Sequence, residues 1–332
     1  MNPQPNPIQP VLDSLLNESQ DFPRNVLQQL SDIEESDIRS ILGVWSQVGL
    51  NRKLTLLENL ESLMEDDSLV NFENFAKALL IDGESVIRGR AIRLLRESRD
   101  AKLLPSFISL LKDDPEVQTR AEAASALGAF VDLGELEELP EETLRQVEQV
   151  LFESLNGTDD VKVRRRALES LGFSSRPEVP ALIETAFGRA ESAWQASALF
   201  AMARSADNRW DGEVLTSLAN ENRNVREAAV EAAGQLAIKA ASPILINMLE
   251  EEEDDDLTSA VIWSLSQIGG EDARVFIENL IDQTEDEDQI EFLEEALENL
   301  AFTEDLDKFD LINFESDFEL DEEEEDDEEE DK

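Results

Sequence analysis

With 332 residues, a formal net charge of −50 and no Cys, His or Tyr, the chain excludes several classes of chemistry before any motif is read. Without Cys there is no disulfide, thiolate ligand or cysteine nucleophile, and without His neither a Ser-His-Asp triad nor a His-containing zinc site can be assembled. A field of this sign repels phosphate backbones and anionic lipid, so nucleic acid and membrane surfaces rank low as partners while basic proteins and cations rank high.

The opening residues MNPQPNPIQP are Pro-rich, and disorder is expected over residues 1–10. They have neither the basic n-region nor the apolar h-region of a signal peptide, and no apolar run reaches the ~20 residues of a membrane span. A cytoplasmic protein is expected. From residue 11 to 81 the apolar spacing is helical: Leu12, Leu15 and Leu16, then Val26, Leu27 and Leu30, then Ile38, Ile41, Leu42 and Trp45, then Leu54, Leu57 and Leu60. This stretch lies off the pattern that follows, as a helical N-terminal cap should.

From residue 82 one pattern recurs, clearest in VRRRALESLG, Val163 to Gly172. An apolar residue is followed by Arg, by a small residue four positions after the first, by Leu four further on, and by another small residue. The copies begin at Ile87, Thr119, Val163, Trp194, Val225 and Leu257, at intervals of 32, 44, 31, 31 and 32 residues. Steps of four put these side chains on one helical face, and each copy is followed by a second amphipathic run, as in residues 101–111, 179–187 and 240–249. Such a period predicts an all-α stacked array of helix pairs, none of which can bury its apolar face alone.

These residues resemble the HEAT repeat superfamily, in its short phycobilisome lyase-like form, over roughly residues 82–300. The resemblance implies a right-handed α-solenoid of stacked antiparallel helix pairs, a HEAT-like superhelix with a concave inner surface. It also implies a ladder between neighbouring repeats. An acidic or polar residue stands six positions before the Arg, at Asp82 and Arg88, Asp114 and Arg120, and Asn220 and Arg226, and the resemblance adds Arg164 to the set. Gln195 and Thr258 stand where Arg is expected, so an interruption is expected there.

Along the array, Arg90, Arg93, Arg96 and Arg99 draw a basic stripe that either pairs with acidic neighbours or forms an anion site. The 44-residue interval predicts an enlarged loop near 128–145. Arg165 and Arg166, within the densest basic cluster, point away from the ladder. Phe200, Arg204, Arg209 and Trp210 combine aromatics with cations, a composition enriched in interface hot spots, against the alternative that Trp210 packs between repeats. Glu250 to Asp256 is a run of seven carboxylates without the spacing or central Gly of an EF-hand loop, so no metal site is expected. The array is expected to end at residue 302. Residues 303–332 form an acidic tail with 18 acidic and two basic residues, expected to be disordered at least from 319.

The leading reading is a non-catalytic, monomeric scaffold without cofactor, binding protein partners on its concave helix surface through Arg165, Arg166, Phe200, Arg204, Arg209 and Trp210. Two alternatives are a lyase- or chaperone-like subunit resembling phycobilisome lyases and capture of a basic partner by the tail. A further reading treats the acidity as salt adaptation. The 8 Lys against 20 Arg fit it, and the 15 Phe oppose it.

Overall fold

Residues four apart on an α-helix lie one above the other, so a strip repeated at that spacing must find another helix to cover it. The computed structural model describes residues 8–251 and 254–305, and every regular element among them is helical. Of the disorder expected over residues 1–10 and from 319, residues 1–7 and 306–332 lie outside the described residues, whereas Gln9 and Pro10 already begin a helix, Pro10 standing in the first turn where its missing N–H costs nothing. The chain divides into two units, Met1–Leu182 and Ile183–Lys332.

The first unit begins with α1 (Gln9–Leu16), α2 (Arg24–Gln28), α3 (Glu35–Trp45), α4 (Leu50–Asp66) and α5 (Glu73–Leu79). Trp45 closes this end: it packs edge-on against Phe75 at 5.9 Å, lies under the Lys53 ammonium, and donates from Nε1 to Asp82 Oδ2 at 2.6 Å. Three motif helices then stand side by side, α6 (Ser85–Leu94), α8 (Val117–Glu135) and α10 (Val161–Leu171). Their pairing helices are α7 (Leu104–Asp113) and α9 (Glu141–Asn156), both packed on α8. The division between units falls within α11 (Val179–Phe187).

The second unit repeats the scheme with motif helices α12 (Ser192–Arg204), α14 (Arg223–Gln235) and α16 (Asp255–Ile268), α14 packing on both of the others. Between and after them come α13 (Asp211–Ser217), α15 (Ser242–Glu251), α17 (Glu271–Gln283) and a last helix, α18, over residues 287–305. Leu293, Ala296 and Leu300 of α18 are fully buried.

The motif predicts the core. Its first position is buried in all six copies, as are the positions four and eight residues later, from Ile87, Ala91 and Leu95 to Leu257, Val261 and Leu265. Each large aliphatic among them contributes about 1.5–3 kcal/mol of burial.

Small residues set how close neighbours come. A Cβ on Gly128 would lie 2.8 Å from Ser170 Oγ and 3.3 Å from Ser170 Cα, and one on Gly234 would lie 2.9 Å from Ser264 Cα. That proximity lets each serine reach the preceding motif helix: Ser170 Oγ donates to the Ala124 carbonyl at 2.8 Å, and Ser264 Oγ to the Val230 carbonyl at 2.9 Å.

The 44-residue interval differs from the expected enlarged loop. Helix α8 runs on to Glu135, leaving residues 136–140 before α9. Phe130, Val131 and Leu133 are buried on this extension, so continuing the helix removes more apolar surface from water than a loop would.

Candidate partner-binding surface

Arg88, Arg120 and Arg226 are each positioned by the turn before their own helix. Arg88 donates from Nη1 to the Asp82 carbonyl at 2.6 Å, six residues back, and from Nε to the Asp114 carboxylate of the next repeat at 2.7 Å. Arg120 repeats this, reaching the Asp114 carbonyl at 2.8 Å and gripping Asp159 through two bonds of 2.6 and 2.9 Å. The acidic residue serves twice, since Asp82 and Asp114 also accept the N–H two residues on, at Glu84 and Glu116. Within a repeat the Arg therefore binds the backbone of the residue six before it, and the carboxylate belongs to the Arg of the repeat before.

The remaining positions vary. Arg164 donates from Nε to the Leu155 carbonyl at 2.8 Å. Gln195, where an interruption was expected, still reaches back six residues, Nε2 to the Arg189 carbonyl at 2.9 Å. Arg226 bonds the Asn220 and Glu221 carbonyls at 3.1 and 3.2 Å.

The basic stripe, Arg90 and Arg93 on α6 with Arg96 and Arg99 after it, is occupied by acidic neighbours. Arg90 bonds Glu58 and Glu61 of α4 at 2.5 and 2.7 Å, Arg93 lies between Glu61 and Glu122, and Arg99 meets Glu138 at 2.5 Å. Burial, opposed by Arg93 and Arg90, raises the Glu61 carboxyl above its usual range. The pairs of Arg90 and Arg93 cross from α4 to α6 to α8.

The six residues expected to bind a partner fall into different environments. Trp210 is 2 % exposed and donates from Nε1 to Ser205 Oγ at 3.1 Å, so it belongs to the core and offers no face to a partner. Of the two readings of Trp210, partner contact or packing between repeats, its burial fits the second. Arg209 lies beside it, 5.9 Å from the indole centroid, and bonds Asp207 at 2.6 Å. Arg166 bonds the buried Glu169 at 2.5 Å, and Arg165 is half-buried, its guanidinium pKa lowered first by desolvation. Phe200 and Arg204 are half-buried on α12.

Residues 212–300, from α13 into α18, match the family described as HEAT repeats. Residues 212–300 carry HEAT repeats. No curated protein sequence matches it. Among solved structures it is similar to the complex of CpcE and CpcF of phycocyanin lyase from Nostoc sp., at 20% identity over 69% of this chain and 94% of that one, with a TM-score of 0.44. It is also similar to human deoxyhypusine hydroxylase in complex with glycerol, at 17% identity over 81% and 97% of the two chains and a TM-score of 0.36. Importin beta matches at 11% identity over 88% of this chain and 41% of that one, with a TM-score of 0.39. At these scores none of the three carries an argument about what the chain does.

Sequence reasoning missed two features, the pairing of Arg223 with Asp254 and the shared repeat position of Phe200, Glu231 and Trp263. Arg223, three residues before the motif arginine, grips Asp254 bidentately at 2.6 and 2.8 Å, which holds the Asp254 carboxyl far below the ordinary range. The spacing of 31 residues between them was the available signal. Second, the position six residues after the start of each copy is occupied in turn by Arg93, Ser125, Glu169, Phe200, Glu231 and Trp263. In the second unit this position holds two half-buried aromatics and a half-buried carboxylate.

Proposed function

We propose that the protein is a non-catalytic scaffold that holds a basic protein partner against the motif helices. One observation carries this reading. In the second unit the strip six positions after the start of each copy presents partly exposed Phe200 and Trp263 on α12 and α16, whereas the corresponding face of α6 and α8 is tied up by Arg90 and Arg93 with Glu58, Glu61 and Glu122. Aromatic side chains left partly in water on a rigid helix row are the raw material of an interface, and a net charge of −50 favours a basic occupant. The absence of His, Cys and Tyr from the sequence supports a binding role over a catalytic one. Arg165, Arg166 and Arg204 are retained as candidate contacts, and Trp210 is withdrawn as one.

The test is affinity purification of the full chain from its native lysate at rising salt. A reproducible, stoichiometric partner that elutes as salt rises supports the reading. Retention of nothing above background at any salt concentration contradicts it.

A further inference from the structure

We infer that Phe200, Glu231 and Trp263 form a recognition site for an arginine side chain on a basic, extended segment of the partner. This deepens the scaffold reading and rests on it.

The three residues share one place in the repeat, six positions after Trp194, Val225 and Leu257, on three helices packed in the order α12, α14, α16. The register is fixed beside them: Ser264, next to Trp263, bonds the carbonyl of Val230, next to Glu231, at 2.9 Å. Phe200 and Trp263 are half-buried, so each anchors in its helix row and still shows part of its ring to solvent.

Glu231 is the unusual member. It is half-buried, yet among the described residues it makes neither a hydrogen bond nor a close ion pair, unlike Glu58, Glu61 and Glu122 on the first unit's strip. Desolvation raises its pKa first, neighbouring Glu227 adds to that, and the charge of Arg204, one turn beyond Phe200, opposes it. Glu227 is itself held by Arg223 at 2.7 Å. A desolvated carboxylate without a bonded partner costs the folded chain free energy that a partner's cation would recover.

Guanidinium fits this setting better than ammonium, because it is planar, weakly hydrated, able to bond a carboxylate through two N–H groups, and able to stack on an aromatic face. Packed helices lie roughly 8–10 Å apart, so an extended segment crossing them places about three residues between successive helices. An arginine over Glu231 then has apolar positions about three residues to each side, over Phe200 and Trp263. Beyond this strip the chain from Glu271 to Asp305 carries 14 acidic residues and one basic residue, Arg274, a field that draws a basic segment in.

The probe is a fluorescent synthetic peptide with one central arginine, a leucine three residues to each side, and lysines at both ends. Its binding to the full chain is followed by anisotropy, beside a second peptide whose arginine is replaced by neutral citrulline. The expected result is at least about tenfold weaker binding of the citrulline peptide and a comparable loss for the arginine peptide on Glu231→Gln, which keeps size and shape. On Glu231→Gln the two peptides then bind alike. Phe200→Leu and Trp263→Leu, checked for folding by circular dichroism, weaken binding severalfold, while Glu294→Gln at an exposed site changes it less than about twofold.

Equal losses on Glu231→Gln and Glu294→Gln, or indifference to citrulline, overturn the site and leave only diffuse charge attraction. If a lysate partner is captured equally well by Glu231→Gln, the site fails and the scaffold reading stands. If the peptide behaves as expected but no lysate partner appears at any salt, the scaffold reading fails and the site stands.

Discussion

Replacing Arg120 by Ala tests whether the ladder holds neighbouring repeats together. The guanidinium joins α8 to the turn before α10 through two bonds to Asp159, and it satisfies the Asp114 and Pro115 carbonyls at 2.8 and 3.2 Å. Its side chain is 16% exposed and that of Asp159 25%, so water reaches the pair only in part. Charge-assisted bonds are worth about 1.5–3 kcal/mol each when well shielded, and partial exposure lowers that. A loss of about 2–4 kcal/mol is expected for Arg120→Ala, and less for Arg120→Lys, which keeps the charge without the two-pronged grip. The control is Arg145→Ala: Arg145 pairs with Glu141 one turn away on an exposed face, where about 0.5 kcal/mol or less is expected. Urea unfolding followed by circular dichroism, with hydrogen exchange of α8 and α10, measures both. A double-mutant cycle with Asp159→Asn should give a coupling of about 1–3 kcal/mol. Acid supplies a second arm. The Arg120 bond holds the Asp159 pKa below its unfolded value, so this stabilisation is complete above the unfolded carboxylate range and is lost as pH falls through the folded value. Asp159→Asn should lack that component. If Arg120→Ala costs no more than Arg145→Ala, the ladder does not join the repeats.

Glu148, 2% exposed and bonded by Ser174 Oγ, has its carboxyl pKa raised chiefly by burial, so the folded state holds its proton more tightly and this group stabilises the fold as pH falls through the raised value. Glu148→Gln should be more stable than the parent at pH 7, and the difference should shrink toward pH 4 in matched unfolding curves. Trp210→Ala should cost about 3–5 kcal/mol, as a buried indole does, and should leave binding of the arginine peptide unchanged in the fraction that stays folded. Gly128→Ala should destabilise by about 1–3 kcal/mol despite the better helix propensity of Ala, because the new methyl would meet Ser170 backbone at 3.3 Å; thermal unfolding measures it.

The fold was legible because its core is a strict repeat. Ile87, Ala91 and Leu95, or Val225, Ala229 and Ala233, announce a buried strip by spacing alone. Where helices end was less legible: the 44-residue interval suggested a loop near 128–145, yet Gly128 serves close approach to Ser170, and Phe130, Val131 and Leu133 carry α8 past it. Ladder chemistry was visible in the six-residue spacing, but the partner of each carboxylate lies about one repeat away, as Asp114 is to Arg88 and Asp159 to Arg120. The candidate surface was the least legible part. Composition pointed to Trp210 because it adjoins Arg209, while burial decides that Trp210 is core and that Phe200 and Trp263 keep part of their rings in water. Glu231 is one of 78 acidic residues, and what distinguishes it is a half-buried setting without a bonded partner at the repeat position that Phe200 and Trp263 also occupy.

The claim beneath all of this is that motif helices of neighbouring repeats lie directly against each other. The chain has no cysteine, so a designed pair reports on it without background. A Cβ on Gly89 of α6 would stand 3.7 Å from Thr119 Cβ on α8, within the span a disulfide requires. The double variant Gly89→Cys, Thr119→Cys should close an intramolecular disulfide under mild oxidation, leaving no titratable thiol and a monomer on a non-reducing gel. Two free thiols, or only disulfide-linked dimers, would contradict the account.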